Sequence, residues 1–286
     1  MAGNSGSIIT PSGETKVGTN DWKNIAYGNG KYVIVGQDYN SGYITTSTDG
    51  VNWTTPAKSS YQWNKVVFGD GKFLAIENDY PTLNIASSTD GVNWNTPISL
   101  RLGMSFTDII YAEGKFVAVG TRNSSDAYST ASVDGTTWTT PISFGFVTTM
   151  DCLAYGNGNF VAGLDKGASW FNSTNGVNWQ KRGEMRYMKD VIYADNRFVC
   201  VGSQTEINYS VDGISWKSCD FFTNDKFDWF KILYNNNFFT VGKKKNDSSY
   251  YITASTDGIK WIKPVLLLDG AGNSIAKTIN DMYIVH

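Results

Sequence analysis

Short apolar runs, bounded by turn residues, recur along the chain and predict β-strands throughout. The first clear set comprises residues 22–27, 31–36, 43–47 and a fourth strand from residue 53 onward. Gly28-Asn29-Gly30 separates the first two runs and predicts a hairpin, because glycine and asparagine tolerate positive φ. The second run alternates only weakly between apolar and polar residues, which is typical of a strand covered on both faces.

A seven-residue segment, S-x-(D/N)-G-x-x-W, follows the third strand and occurs six times. Its acidic or amide position falls at Asp49, Asp90, Asp134, Asn175, Asp212 and Asp257, and its tryptophan at Trp53, Trp94, Trp138, Trp179, Trp216 and Trp261. The successive spacings are 41, 44, 41, 37 and 45 residues. A period near 40 residues, with four strands per unit, predicts an all-β fold of the β-propeller type.

The physical role of this segment is local. Asp-Gly is a strong hairpin signal, the serine hydroxyl can bind a turn amide, and the tryptophan ring can fold back over the turn. Catalysis and Ca²⁺ binding are alternative roles for the acidic position. Because every repeat carries the segment whatever its loops do, we interpret the six copies as scaffold.

The segment resembles the Asp-box, or bacterial neuraminidase repeat, of sialidase-like propellers. It lacks the residue that usually stands between the Asp and the Gly, so it is a shortened variant. The resemblance covers six repeats, close to the whole chain. It implies a propeller architecture and says little about activity, since such boxes serve as scaffold in enzymes and in binding proteins alike.

The repeat predicts one domain spanning residues 1–286. Six full repeats are expected at about 22–62, 63–105, 106–149, 150–187, 188–228 and 229–273. Residues 5–17 resemble the third and fourth strands of a repeat, and residues 274–286 resemble the first two. Together they predict a seventh, composite blade that closes the ring and removes exposed strand edges. Six blades with frayed ends is the alternative.

Composition narrows the function classes. The net charge is −2, from 24 Lys and Arg against 26 Asp and Glu, so no basic excess favours nucleic acid or anionic lipid. Three cysteines do not suggest a disulfide framework or a zinc site, and the single histidine is the last residue. We therefore expect no cofactor and no metal.

Location is predicted from the same reading of the sequence. The first residues show neither a basic region nor an apolar run, so we expect no signal peptide and no membrane insertion. The expected setting is a phage or phage-like particle, assembled in the cytoplasm and virion-associated, or extracellular after lysis. There we expect the chain to be one of several copies in a larger assembly.

One face of the predicted propeller carries variable loops, between the second and third strands of a repeat and between its fourth strand and the first strand of the next repeat. Recognition usually lies on such a face. Aromatic and arginine side chains there suit sugars, and the tentative ligand-binding residues are Trp22, Tyr61, Trp63, Tyr80, Arg101, Arg186, Tyr187 and Trp229. The tryptophans among them belong to a column whose alternative role is packing between blades. A second column of mixed charge follows two positions later, for which we predict solvated neutralising pairs, with an ion site as the alternative; its members are Asn24, Lys65, Asp108, Cys152, Asp190 and Lys231.

Catalysis is disfavoured by the sequence. The sialidase resemblance would require three arginines around a carboxylate, an activated tyrosine with its glutamate, and an aspartic acid-base group. The chain has only five arginines, and no spacing selects a pair of carboxylates for glycoside hydrolysis. We therefore predict no enzyme, but a recognition propeller that binds a cell-surface glycan. The alternatives are a structural or protein-interaction component of an assembly and, less favoured, a glycoside hydrolase.

Overall fold

The structure is a computed structural model, and it describes most of the 286-residue chain. The described segments are residues 7–10, 13–18, 20–79, 82–122, 126–147, 149–164, 169–183, 188–203, 206–221, 225–245 and 249–268. Within these segments the regular secondary structure consists of β-strands joined by turns. No helix among them is long and apolar enough to cross a membrane.

The strands follow one another in six similar groups after an N-terminal pair. The first are β1 (Ser7–Thr10), β2 (Gly13–Lys16), β3 (Asp21–Gly28), β4 (Lys31–Gln37), β5 (Gly42–Ser47), β6 (Ala57–Ser59), β7 (Lys65–Gly69), β8 (Lys72–Asp79), β9 (Thr82–Ser88), β10 (Ile98–Leu100), β11 (Ser105–Ala112), β12 (Lys115–Arg122), β13 (Asp126–Ser132) and β14 (Ile142–Val147). The remainder are β15 (Met150–Gly156), β16 (Asn159–Leu164), β17 (Trp170–Ser173), β18 (Gln180–Lys181), β19 (Met188–Ala194), β20 (Arg197–Gly202), β21 (Ile207–Ser210), β22 (Lys217–Ser218), β23 (Asp220–Phe221), β24 (Phe227–Tyr234), β25 (Phe238–Lys244), β26 (Tyr250–Ser255), β27 (Lys260–Trp261) and β28 (Val265–Leu268).

Six four-stranded sheets, which we number blades 1 to 6, account for most of these strands. Blade 1 has the order β3-β4-β5-β6, and blades 2 to 5 repeat this order with β7–β10, β11–β14, β15–β18 and β19–β22. Blade 6 has the order β24-β25-β26-β28, and β27 instead pairs in parallel with β23. The four strands of a blade are called A to D in chain order. The all-β prediction is confirmed.

The N-terminal pair forms a sheet of its own. β1 and β2 are antiparallel, with Ser7 opposite Lys16. This hairpin is the predicted N-terminal half of a composite blade, but residues 274–286, the predicted C-terminal half, lie outside the described residues. The four-stranded sheets of the described chain number six, as in the alternative blade count. The seventh blade stays a prediction.

Strand D begins later than the sequence suggested. In blade 1 it starts at Ala57 and not at Trp53. Trp53 still belongs to the turn, because its Nε1 donates to the carbonyl oxygen of Gly50 at 3.2 Å. Thr54 already donates its backbone N–H to Thr46 of strand C at 2.9 Å, and the strand ladder with strand C begins at Ala57.

The described chain divides into two compact units. The first holds residues 7–118 and 130–141, and the second holds 119–129 and 142–268. In the first unit, strand B of blade 1 packs on blade 2 through a core cluster that includes Val33, Val35 and Phe73. In the second unit, comparable clusters join blade 4 to blade 5 and blade 5 to blade 6. Strand B is covered on both faces, as its weak alternation predicted.

Neighbouring blades are also joined by hydrogen bonds from the A–B turns. Asn29 has a φ of 47° and Gly30 a φ of 74°, the signature of a two-residue hairpin turn. The Asn29 side chain donates from Nδ2 to the carbonyl oxygen of Thr89 at 2.9 Å, in the box of blade 2. Asn157 donates in the same way to Val211, in the box of blade 5, at 3.0 Å. These two turns thus tie blade 1 to the box of blade 2 and blade 4 to the box of blade 5.

Candidate functional site

The tryptophan column predicted as ligand-binding lies in the core. The side chains of Trp22, Trp63 and Trp229 are 1%, 2% and 0% exposed. Gly36 stands opposite Trp22 in the register of β3 and β4, and a Cβ there would lie 2.8 Å from the indole ring. The indole thus packs flat on the backbone of strand B. These three residues have the packing role that was the alternative for the column, so we correct their assignment and leave them out of the site proposed below.

The second column forms pairs between neighbouring blades. Lys65 lies 3.7 Å from Asp108, and Lys231 lies 3.2 Å from Asp190. A carboxylate oxygen of Asp190 also accepts the backbone N–H of Ile232 at 2.8 Å. These contacts are the neutralising pairs that the mixed-charge pattern predicted. In the first unit the A strands β3, β7 and β11 line a groove of about 340 Å³ that contains the Lys65–Asp108 pair.

The B–C loop of blade 1 is held by one aspartate. Asp38 Oδ1 accepts the backbone N–H groups of Asn40 and Ser41, at 2.9 and 2.8 Å. Its Oδ2 accepts the Tyr43 hydroxyl at 2.7 Å, and this bond is the main cause that lowers the pKa of Asp38 and raises the pKa of Tyr43. The loop is therefore fixed by three hydrogen bonds to a single charged group, although it lies at the surface.

Tyr39 sits at the tip of this loop with its side chain 92% exposed. Its carbonyl oxygen accepts a hydrogen bond from Gln62 Nε2 at 3.3 Å, which joins the loop to the D–A loop of blade 1. Tyr61, next to Gln62, stacks on Trp63 with ring centroids 5.4 Å apart and planes inclined by 27°. We call Tyr39, Tyr61 and Gln62 the loop site.

A buried carboxylate supports the loop site from blade 2. Glu77 Oε1 accepts the backbone N–H of Gln62 at 2.5 Å, and Oε2 accepts Asn84 Nδ2 at 2.7 Å. Asn84 in turn accepts the Ser99 hydroxyl through its Oδ1. The network fixes the position of Gln62, so both loops of the site rest on hydrogen-bonded carboxylates.

The other predicted site residues have different positions. Arg101 is exposed and follows directly after β10, on the D–A loop of blade 2. Tyr80, Arg186 and Tyr187 lie outside the described residues. Sequence reasoning missed Asp38 and Gln62. The order Asp38-x-x-Ser41 is a signal for an Asx turn that could have indicated Asp38; no local signal marks Gln62.

In all six boxes the Asp or Asn oxygen accepts the backbone N–H groups of the residues two and three positions later. In blade 1, Asp49 Oδ1 accepts the backbone N–H groups of Val51 and Asn52, each at 2.8 Å, and Ser47 Oγ accepts that of Gly50 at 2.8 Å. Hydrogen bonds from the backbone and side chain of Asn52 hold the pKa of Asp49 well below its usual range. These carboxylates are occupied by their own turns, which fits the scaffold interpretation of the boxes.

Metal and thiol chemistry have few candidate groups here. No cluster of three or more His, Cys, Asp or Glu side chains suited to a metal occurs among the described residues. Cys152, Cys200 and Cys219 remain thiols, and burial raises the pKa of Cys200 well above its usual range.

Comparisons with known proteins identify the fold. No protein-family model matches the chain, and no curated protein matches it. Among solved structures it is similar to YCF48 bound to D1 peptide, with a TM-score of 0.61 and 16% identity over 91% of this chain and 82% of that one. It is similar to virginiamycin B lyase from Staphylococcus aureus, with a TM-score of 0.62 and 9% identity over 84% and 83% of the two chains. It also resembles an ulvan lyase solved with a saccharide bound, with a TM-score of 0.56 and 12% identity over 93% and 85%.

These similarities establish a β-propeller, as the repeat predicted, and at such identities they establish the fold alone. The resemblance to the Asp-box family remains a resemblance of the turns. The prediction that the chain is not an enzyme is wrong as it was drawn. Its structural neighbours include lyases, so the lack of a sialidase-type set of arginines and carboxylates does not exclude catalysis in this fold.

Proposed function

We propose that this chain is a recognition propeller and that its loop site binds a cell-surface glycan. The observation that carries the proposal is the exposed ring of Tyr39 on a loop that Asp38 holds in place. A pyranose offers an apolar ring face that stacks on an aromatic ring, and hydroxyl groups that bind polar side chains. Because the loop is already ordered, binding costs little conformational entropy.

The surroundings of Tyr39 support the same ligand class. Tyr61 provides a second, partly buried ring, and the Gln62 amide donates to the carbonyl oxygen of Tyr39. The exposed guanidinium of Arg101 on the next D–A loop can bind hydroxyl or acidic groups of a longer glycan. The structurally similar ulvan lyase was solved with a bound saccharide, which is compatible with sugar binding on this fold.

A glycan array probed with the multimerised protein tests the proposal, since multivalency raises weak affinities to a measurable level. We expect Tyr39→Ala to lower binding at least about tenfold. Tyr27→Ala is the matched control, because Tyr27 is also an exposed tyrosine, at 58%, but ends strand A at the A–B turn. Equal binding by the two variants would show that the glycan does not bind at the loop site. Binding to no glycan would contradict the proposed class of ligand.

A protein segment is the second candidate ligand. It is favoured by the neighbour YCF48, which was solved with a peptide, and by the propeller of the nidogen/laminin complex. A photo-crosslinking residue at position 39, compared with one at position 27, tests it in the native host extract. A single protein product at position 39 that is absent at position 27 would favour this candidate over a glycan.

The particle setting also belongs to the proposal. If the chain decorates a phage-like particle, antibodies against it should label purified particles in electron micrographs. If the particles carry no label, the proposed particle setting is wrong, and the binding proposal is unchanged.

A further inference from the structure

Blade 4 borders a small cavity in the second unit. The cavity measures about 200 Å³ and lies between strand D of blade 3 and the outer strands of blade 4. Its lining residues are Ile142, Ser143, Phe144, Phe171, Trp179 and Lys181. A cavity of roughly 150 Å³ is enough to hold a benzene molecule, so this one has room for a single six-membered ring with a small substituent.

One wall of the cavity arises from a substitution within the repeat. Two residues before the box serine, blades 1, 3 and 6 have a threonine whose hydroxyl donates to a carbonyl oxygen nine residues later. The three bonds are those of Thr45 to Thr54, Thr130 to Thr139, and Thr253 to Ile262, at 2.7, 2.7 and 2.6 Å. Blade 4 has Phe171 at this position. Its ring packs edge-on against that of Phe144, with ring centroids 4.7 Å apart. In blade 4 the ring of Phe171, which lines the cavity, thus replaces the hydroxyl group that forms this hydrogen bond.

The box tryptophan of blade 4 provides a second wall and a polar group. In blades 1 to 3 the indole Nε1 donates to the box glycine; Trp94, for example, donates to Gly91 at 3.0 Å. Trp179 Nε1 is buried and has no acceptor within the described part of the chain, a property it shares with Trp216 and Trp261 in the boxes of blades 5 and 6. The Trp179 ring lies 5.4 Å from that of Phe144. A buried N–H group without an acceptor is costly, and a bound acceptor would remove the cost.

The polar side chains of the lining are all hydrogen-bond donors. Besides the Trp179 indole, they are the Lys181 ammonium and the Ser143 hydroxyl. Ser143 Oγ already accepts the backbone N–H of Gly145 at 3.0 Å, which leaves its O–H to donate. Three rings and three donors match a ligand with a flat apolar body and an acceptor-rich group.

We propose that this cavity binds a small aromatic carboxylate. The ring lies among Phe144, Phe171 and Trp179, where inclined aromatic planes favour edge-to-face contacts. The carboxylate accepts from the Trp179 indole and pairs with the Lys181 ammonium. The site lies on the outer strands of blades 3 and 4 and is independent of the loop site.

Benzoate is the probe for this site, and the indole N–H signal of Trp179 in a ¹H–¹⁵N spectrum is the readout. Trp179→Phe identifies the signal by its loss. We expect benzoate to shift the Trp179 signal saturably, with half-saturation at about 1 mM or below. Benzyl alcohol, which keeps the ring but has no carboxylate, should bind at least about tenfold more weakly. No shift of this signal at about 10 mM benzoate overturns the proposal.

Phe171→Thr tests the cavity wall directly. Threonine is the residue of blades 1, 3 and 6 at this position, and its hydroxyl can restore the hydrogen bond to strand D. The substitution should weaken benzoate binding at least about tenfold in the full chain. Phe144→Ala provides the same test if Phe171→Thr does not fold. Tyr234→Ala is the control, since it removes a half-exposed ring of the same unit that lies outside the lining. Equal loss of affinity in the control and in Phe171→Thr overturns the proposal.

Discussion

Asn175 shows which property of the box residue shapes the turn. It replaces the aspartate found in the other five boxes, yet its Oδ1 accepts the same bonds, from Val177 at 2.9 Å and from Asn178 at 2.8 Å. The Ser173 hydroxyl also donates to it at 3.0 Å. The turn thus requires a short side chain with a correctly placed oxygen, and the negative charge is not needed for the geometry.

A pair of substitutions at Asp134 tests this conclusion. Asp134→Ala removes the acceptor of the Thr136 and Thr137 amides, which bind it at 2.8 and 2.7 Å. At about 1 kcal/mol for the net loss, it should lower the melting temperature by about 2–4 °C. Asp134→Asn keeps the acceptor and should melt between the alanine variant and the parent. The conclusion fails if the asparagine variant melts as low as the alanine variant.

At the scale of elements, the loop site depends on the close approach of two loops. Gly42 begins strand C of blade 1 and pairs with Ser59 of strand D. A Cβ at Gly42 would lie 1.7 Å from the carbonyl oxygen of Tyr61, so the D–A loop passes directly over this position. Only a residue without a side chain allows this approach, and Tyr61 and Gln62 are positioned by it.

Gly42→Ala should therefore displace the D–A loop. We expect a lower melting temperature together with loss of any ligand affinity that depends on Tyr39. Gly183→Ala is the control, because a Cβ at Gly183 meets no atom within 4 Å. Crystallography or hydrogen exchange at Tyr61 and Gln62 would show the displacement. An alanine variant with the parent's loop and stability would contradict this account.

The comparison of sequence and structure also belongs to this scale. Periodic strands, Asn-Gly turns and the boxes follow from local residue patterns, so four strands per repeat could be predicted. The loop site could not, because it depends on which residues the strand register places together: Gln62 reaches Tyr39 across 23 positions. Trp22 could be placed in its column, but its burial depends on Gly36 in another strand. The cavity of blade 4 is marked in sequence only by the deviation of its repeat.

For the whole molecule, the boxes link stability to pH. The pKa values of Asp49, Asp90 and Asp134 are held well below their usual range, chiefly by backbone hydrogen bonds. In Asp212 and Asp257, burial opposes the shift, but hydrogen bonds still lower the pKa. Unfolded aspartates bind protons near pH 4, whereas these folded ones do so only at lower pH. The stabilisation is thus present above about pH 4 and is lost as the pH falls below it.

Acid unfolding measures this linkage. The urea midpoint of the parent should fall steeply between about pH 5 and pH 2. A variant with Asp49→Asn, Asp90→Asn and Asp134→Asn keeps the acceptors but no longer titrates at these positions. Its midpoint should lie below that of the parent at pH 7, decline less over the same range and approach that of the parent at low pH. Parallel declines would show that other groups control acid stability.

The N-terminal hairpin tests the composite blade. Val17 follows β2 and packs with Trp22 and Ile34 in a core cluster of blade 1. Deletion of residues 1–17 removes this contact together with both strands, and should lower the melting temperature more than Val17→Ala does. If the truncated chain melts within about one degree of Val17→Ala, the hairpin contributes only through Val17 and the composite blade is wrong.

The hydrogen bond between an A–B turn and the next box has a consequence for the evolution of such a chain by duplication. A repeat with asparagine at its A–B turn, such as Asn29 or Asn157, carries a donor for its successor, and the box offers the accepting backbone carbonyl group, as Thr89 and Val211 do. A duplicated repeat therefore brings both halves of the junction with it and fits beside its parent copy without any new mutation. Gene duplication can lengthen such an array in one step, and the daughter loops are then free to diverge.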